Sequence, residues 1–136
     1  MSSILVVGSV ALDSVHTPFG NAKEALGGSA TYFSVAASFF ADVRVVAVVG
    51  EDFPEEHLAF LKSRSIDLEG LVRVPGRTFR WAGEYGFDLN EAKTLETQLN
   101  VFAAFQPEIP KAYKESELVF LANIDPDLQR KVLGQV

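Results

Sequence analysis

Gly27-Gly28-Ser29-Ala30-Thr31-Tyr32-Phe33-Ser34-Val35-Ala36-Ala37-Ser38-Phe39-Phe40, with the run Val43-Arg44-Val45-Val46-Ala47-Val48-Val49 just after it, decides the fold class. Adjacent glycines let the main chain take φ > 0 and bring another group against bare backbone. Ser29 is a good N-cap, so a helix is expected from Ser29 to about Ala41. Ala30, Phe33, Ala37 and Phe40 form one stripe, with Tyr32, Val35 and Phe39 beside it. A helix apolar all round is expected to be buried on most sides, against a sheet. Val43–Val49, closed by Gly50, reads as a strong strand. The first turn of the helix presents unpaired N–H groups and a positive dipole end. The diglycine is therefore either a tight loop-to-helix junction or a place that receives a small polar ligand.

Upstream, Ile4–Val7 is a short continuous apolar run ended by Gly8, a pattern that suits a central strand buried on both faces, as in a parallel sheet. Gly8-Ser9-Val10-Ala11-Leu12-Asp13 follows. It lacks the G-x-G-x-x-G spacing of a dinucleotide site, and no helix is expected there. Asp13 stands where the chain leaves the sheet, the place where open α/β folds put ligand-binding groups; a lone Asp in a loop also serves as a turn residue or cap. Residues 14–26, with Pro18, Gly20 and Asn21, read as a loop or loose hairpin.

Downstream, Asp52-Phe53-Pro54-Glu55 has the form of a helix start with Asp52 as N-cap. Its helix runs through Leu58 and Leu61, and Ile66, Leu68 and Leu71 lead into a short strand. After the turn Val74-Pro75-Gly76-Arg77 the period changes. Phe79, Trp81, Tyr85 and Phe87 alternate with polar residues, as do Leu95, Thr97, Leu99 and Val101. A period of two in both runs predicts a hairpin inserted into the α/β pattern. A two-stranded ribbon is unstable alone, so its aromatic face must cover this domain's core, a ligand or a second copy of the chain. Residues 107–115 are expected to form a short helix and Leu118–Ala122 a third buried strand with Asn123 at its end. Asp125-Pro126 then opens a last helix. The whole reads as one α/β domain, a mainly parallel sheet with flanking helices plus an inserted β-hairpin.

The 136 residues suffice for one domain with a real core. A net charge of −6 with scattered Lys and Arg argues against nucleic acid or an anionic membrane as partner. The absence of cysteine excludes disulfides and thiolate metal sites and is compatible with the cytoplasm, where the chain is expected. Ile4–Val7 is far too short to span a membrane or serve as a signal core. His16 and His57 lie far apart with no ligand-like spacing, so no metal site is expected.

In this order the pieces resemble the ribokinase-like (PfkB) carbohydrate kinases, over the N-terminal half of that family's usual length. Gly8-Ser9-x-x-x-Asp13, Gly27-Gly28 with its small-residue helix, and Val49-Gly50-Glu51-Asp52 are similar to successive family segments. The segments around 14–26 and 71–102 sit where the family carries its lid strands. The resemblance implies a kinase that transfers the γ-phosphate of ATP, with Mg²⁺, to a hydroxyl of a sugar or nucleoside. It makes Asp13 the acceptor for two substrate hydroxyls, a role suited to a carboxylate. Gly27, Gly28 and Ser29 would approach the substrate, the aromatics of the lid, Trp81 among them, would close over it, and Asn123 would add a contact. Tyr32 replaces the Asn common in ribokinases, which points to a larger or more apolar substrate such as a nucleoside. The family's Asp-Thr-x-Gly-Ala-Gly-Asp motif, with the catalytic Asp and anion hole, does not occur in these residues. The segment alone is therefore expected to bind no ATP or Mg²⁺ by motif and to be inactive. The alternative is a non-catalytic module, with the aromatic ribbon as a homodimer contact.

Overall fold

The computed structural model describes residues 2–136. β1 (Ser3–Val7) and β4 (Asp42–Gly50) form the centre of a four-stranded sheet. β5 (Asp67–Val74) lies outside β4 and β8 (Leu118–Leu121) outside β1, giving the order β5-β4-β1-β8 with every pairing parallel. The α/β, mainly parallel architecture is the expected one.

Parallel strands need crossovers, and the helices of the crossovers cover the sheet. On one face Val6, Val43, Val45, Ala47 and Val49 pack with α1 (Ser29–Ala37) and α2 (Glu55–Ser63) through Ala30, Phe33, Leu58 and Leu61. On the other, Leu5, Val7, Val46 and Val48 meet Phe105, Ile109, Tyr113, Ile124 and Val132. Val132 belongs to α3 (Pro126–Leu133). Successive residues of β1 and β4 thus serve opposite cores, which is why both runs are continuously apolar.

The second sheet holds β2 (Ala11–Thr17), β3 (Gly20–Gly27), β6 (Arg80–Tyr85) and β7 (Ala92–Gln98) in the order β3-β2-β6-β7. The β2–β3 and β6–β7 pairs are antiparallel hairpins, and β2 joins β6 in parallel. Two expectations change here. The hairpin does not stand alone, because β2 and β3 supply a second pair. Residues 71–74, expected with the inserted strands, complete β5 in the first sheet, where Val72 pairs with Val48 and Val74 with Gly50.

Other departures have local causes. Helix α1 stops at Ala37, where the Ser38 hydroxyl donates to Val35 O at 2.6 Å, a local bond that competes with helix continuation. Phe39 and Phe40 fall in the turn beyond it, 66% and 81% exposed, with the Arg64 guanidinium 4.0 Å above the Phe39 ring. The helix is thus less buried than its composition suggested. β8 is an edge strand whose Leu118 and Phe120 remain exposed, although Phe120 stacks on Phe33 at 3.6 Å. Residues 107–115 contain only a 3₁₀ turn, Lys111–Tyr113. Among the described residues no helix is long and apolar enough to cross a membrane.

That 3₁₀ turn carries a fully buried tyrosine. The Tyr113 hydroxyl donates to Asp67 Oδ1 at 2.6 Å and receives the Gly70 N–H at 3.1 Å, so it ties β5 to the layer beneath it. Burial and the bond to Asp67 push the phenol well above its usual range. Tyr113→Phe leaves the Gly70 N–H unpaired and should cost about 1–3 kcal/mol, read as a lower urea midpoint with an unchanged m-value.

Candidate functional site

The two sheets meet where β1 passes into β2 through Gly8-Ser9-Val10, and α1 begins against that link. The Ser9 carbonyl accepts the Ala30 N–H at 2.9 Å, and the Ser9 hydroxyl accepts the Ser29 N–H at 3.0 Å. The Ser9 N–H points back to the Ser29 hydroxyl at 3.4 Å, and the two hydroxyls lie 3.1 Å apart. Ser29 is therefore the first helical residue; the N-cap is Gly28, at φ 97° and ψ 152°. A Cβ there would run into the Ser9 carbonyl, so both φ and space require glycine. The expectation of free N–H groups at this helix start is corrected for Ser29 and Ala30, whose donors Ser9 occupies.

Gly27 is needed for a different reason. A Cβ on it would occupy the position of the Asp13 carboxylate. Asp13 is on β2, paired with Ala25 of β3 and Trp81 of β6, so it is a strand residue and not a loop cap. The carboxylate lies flat on bare backbone, half-buried. Among the described residues no hydrogen bond or ion pair reaches it, and burial raises its pKa above the ordinary carboxylate value. A carboxylate desolvated without compensation is a common mark of a ligand site.

Trp81 shares the face of Asp13, since paired residues of neighbouring strands point the same way. Its ring lies over Gly83, and its indole N–H donates to Thr94 Oγ1 at 3.2 Å. Two residues further along the same face is Tyr85. Tyr32 approaches from the first turn of α1. Its phenol pKa is raised by burial, then by the negative fields of Asp13 and Tyr85, although the residue is 66% exposed. Asp13, Gly27, Tyr32 and Trp81 thus form one neighbourhood. Gly28 and Ser29 adjoin it through the Ser9 link. Asn123 is exposed just after β8 at the same end of the parallel sheet, next to Ala122, whose side chain crowds Gly8. These positions can offer hydroxyl-rich ligands a doubly accepting carboxylate, close main chain and aromatic walls.

Sequence reasoning missed the groups behind this face. Asp52 does not cap α2, whose N-cap is Pro54. Its Oδ1 accepts the Thr78 N–H at 2.8 Å and hydroxyl at 2.7 Å, and its Oδ2 pairs with Arg80 at 2.7 Å. Burial works to raise this carboxyl, but the bonds from Thr78 and Arg80 prevail and hold it below the usual carboxylate range. Arg80 also donates to Glu24 at 3.0 Å and to the Thr78 carbonyl at 3.1 Å. The Asp-x-Pro spacing imitated a helix start, while Thr78, 26 residues from Asp52, and Glu24, 56 residues from Arg80, left no local trace. A polar cleft of about 220 Å³ opens on this rear face, lined by Ser14, Glu24, Arg80, Ala82 and Gln98 among others.

No protein-family model matches the chain. A cytidine kinase of Thermococcus kodakarensis is 28% identical over 137 residues, covering 100% of this chain and 49% of that protein. A nucleoside kinase of Methanocaldococcus jannaschii, an archaeal member of the ribokinase family, superposes over 100% of this chain and 49% of its own, with a TM-score of 0.76 and 20% identity. The fold is ribokinase-like, and the chain is similar in sequence to the Thermococcus enzyme. A Burkholderia thailandensis nucleoside kinase solved with ADP and inosine matches 84% of this chain and 41% of its own, at a TM-score of 0.64 and 15% identity. The chain spans about half the length of the curated relative it matches.

The nucleotide and Mg²⁺ that the resemblance implies do not fit the donors present. Among the described residues no three His, Asp or Glu side chains cluster to hold a cation, and no glycine-rich phosphate loop is found in the sequence.

Asp13 makes a testable statement about stability. Its folded-state pKa exceeds its unfolded one, so the folded chain binds the proton more tightly and loses stability as pH rises through that interval. Asp13→Asn should raise the thermal midpoint at neutral pH, and the gain should shrink below about pH 4. Differential scanning calorimetry at the two pH values checks the sign; a lower midpoint at neutral pH would show that the carboxylate has a stabilising partner.

Proposed function

We propose that the chain is the acceptor-binding part of a nucleoside or sugar kinase, which transfers the γ-phosphate of ATP to a substrate hydroxyl. The observation that carries this reading is the Asp13 carboxylate, half-buried against the backbone at Gly27, without a partner among the described residues, and on one face with Trp81. In the bound state Asp13 accepts two hydroxyls of the sugar ring. Gly27 gives the Asp13 carboxylate its place at the site and Gly28 sets the helix start beside it, with Ser29 and Asn123 at the rim. Tyr32 and Trp81 form the aromatic walls, and the second sheet serves as a lid. A nucleoside is favoured over a free pentose because Tyr32 adds a ring that can face a base, and because the relatives include a cytidine kinase and nucleoside kinases. ATP and Mg²⁺ are held by residues outside this chain, so the segment alone binds acceptor without transferring phosphate. It works in the cytoplasm, apart from nucleic acid and membranes.

Isothermal titration of the chain with cytidine and inosine tests the reading. Saturable binding is expected, weakened about ten- to hundredfold by Asp13→Ala, the loss of hydrogen bonds to a charged group. An unchanged Kd in that variant would remove Asp13 from the site.

A second reading has its own observation. β7 is an edge strand, and Phe19 and Phe87 meet edge-to-face at 5.9 Å at the tips of the two hairpins while 71% and 80% exposed. Such an edge can pair with a second copy. Sedimentation showing a concentration-dependent dimer, with no response to either nucleoside, would favour assembly over catalysis.

A further inference from the structure

We propose that Arg80 is a positioning residue that fixes Trp81 beside Asp13. Adjacent residues of a strand point to opposite faces, so whatever holds Arg80 behind β6 sets the ring in front of it. The side chain of Arg80 is 16% exposed and its guanidinium has three anchors on three segments. Nη1 pairs with Asp52 at 2.7 Å, in the connection between β4 and α2. Nη1 also donates to the Thr78 carbonyl at 3.1 Å, which accepts the Asn100 side-chain amide at 3.0 Å. Nε donates to Glu24 at 3.0 Å.

Each anchor is itself held. Thr78 is fully buried; its hydroxyl receives the Gly50 N–H at 2.9 Å and donates to Asp52. Asp52 is thus fastened to the end of β4, in the rigid core. Glu24 occupies a bulge of β3, at φ 50°, where the β2–β3 register shifts, and its N–H is bonded to Ser14 Oγ at 3.1 Å. Planar guanidinium geometry suits simultaneous donation to separate acceptors; a lysine ammonium at the same place is a point charge without that fork. Arg80 therefore joins the first sheet to both hairpins of the second, and its own pair with Leu12 immediately precedes the pair Asp13–Trp81 in the β2–β6 register.

The proposal rests on the acceptor-site reading for its functional meaning, but its test needs no ligand. Trp81 is the single tryptophan of the chain, so its fluorescence reports the position directly. In Arg80→Gln, amides of β2, β3, β6 and β7 should exchange about tenfold faster while those of β1 and β4 keep their protection. Acrylamide quenching of Trp81 should rise with them. Arg80→Lys should fall between the wild type and Arg80→Gln. Should Arg80→Gln not fold, Asp52→Asn, which keeps the side-chain shape and removes the charge, should give the same selective change. Unchanged quenching and exchange in the second sheet, or an equal rise in both sheets, would overturn the proposal, whether or not the chain binds a nucleoside.

Discussion

Double burial of β1 and β4 is the constraint on which the rest of the structure depends. A strand that is apolar on both sides is stable only between two covering layers, so α1 and α2 must lie on one face and α3 with the 3₁₀ turn at Lys111–Tyr113 on the other. With both faces occupied, the ends of the strands are where polar groups can meet solvent or a ligand. The chain leaves β1 at Gly8 and β4 at Gly50, and both exits lead to the second sheet: the first directly into β2, the second through Asp52 to Thr78 and Arg80. Placement of the candidate site at this end follows from that burial, in keeping with the behaviour of open parallel sheets.

The parts legible in the sequence are those governed by short-range periodicity. Continuous apolar runs located β1 and β4, alternation located β6 and part of β7, and Asp125 caps α3 as read, accepting the Asp127 N–H at 2.9 Å; Leu99 and Val101, expected in the second alternating strand, lie beyond Gln98 where β7 ends, Val101 in a 3₁₀ turn over Asn100–Ala104. What could not be read depends on partners distant in sequence. Ser29 has every local attribute of an N-cap, yet Ser9 claims its hydroxyl, and glycine takes the cap. Asp52 matches a helix start, yet Thr78 and Arg80 draw its carboxylate elsewhere. The parallel pairing of β2 with β6 joins segments more than sixty residues apart in a register that neither hairpin encodes alone.

The candidate site was legible in its members and not in its arrangement. Gly27 was singled out for conformational freedom, and the structure assigns it space: the absence of a Cβ is what lets Asp13 lie against the backbone. Gly28 has the positive φ. Two adjacent glycines therefore answer two separate demands, one steric towards β2 and one conformational at the helix start, which explains why neither position tolerates even alanine's single methyl group without movement of a neighbour.

Charge limits what this face can receive. Among the described residues Asp13 has no cationic partner to offset it, whereas the carboxylate of Asp52, on the other side of β6, is tied to Arg80. The two acids show how environment divides one residue type between roles: bonds to Thr78 and Arg80 hold Asp52 ionised as a strut, while burial without partners keeps Asp13 costly until something donates to it. A phosphate or carboxylate ligand would add like charge to Asp13. A neutral polyol instead brings hydroxyl donors and satisfies the acceptor without introducing a counter-charge. Within the proposed kinase, this separates the tasks physically: an electronegative surface for the uncharged acceptor, and stabilisation of the transferred phosphoryl group by cationic and main-chain donors supplied elsewhere.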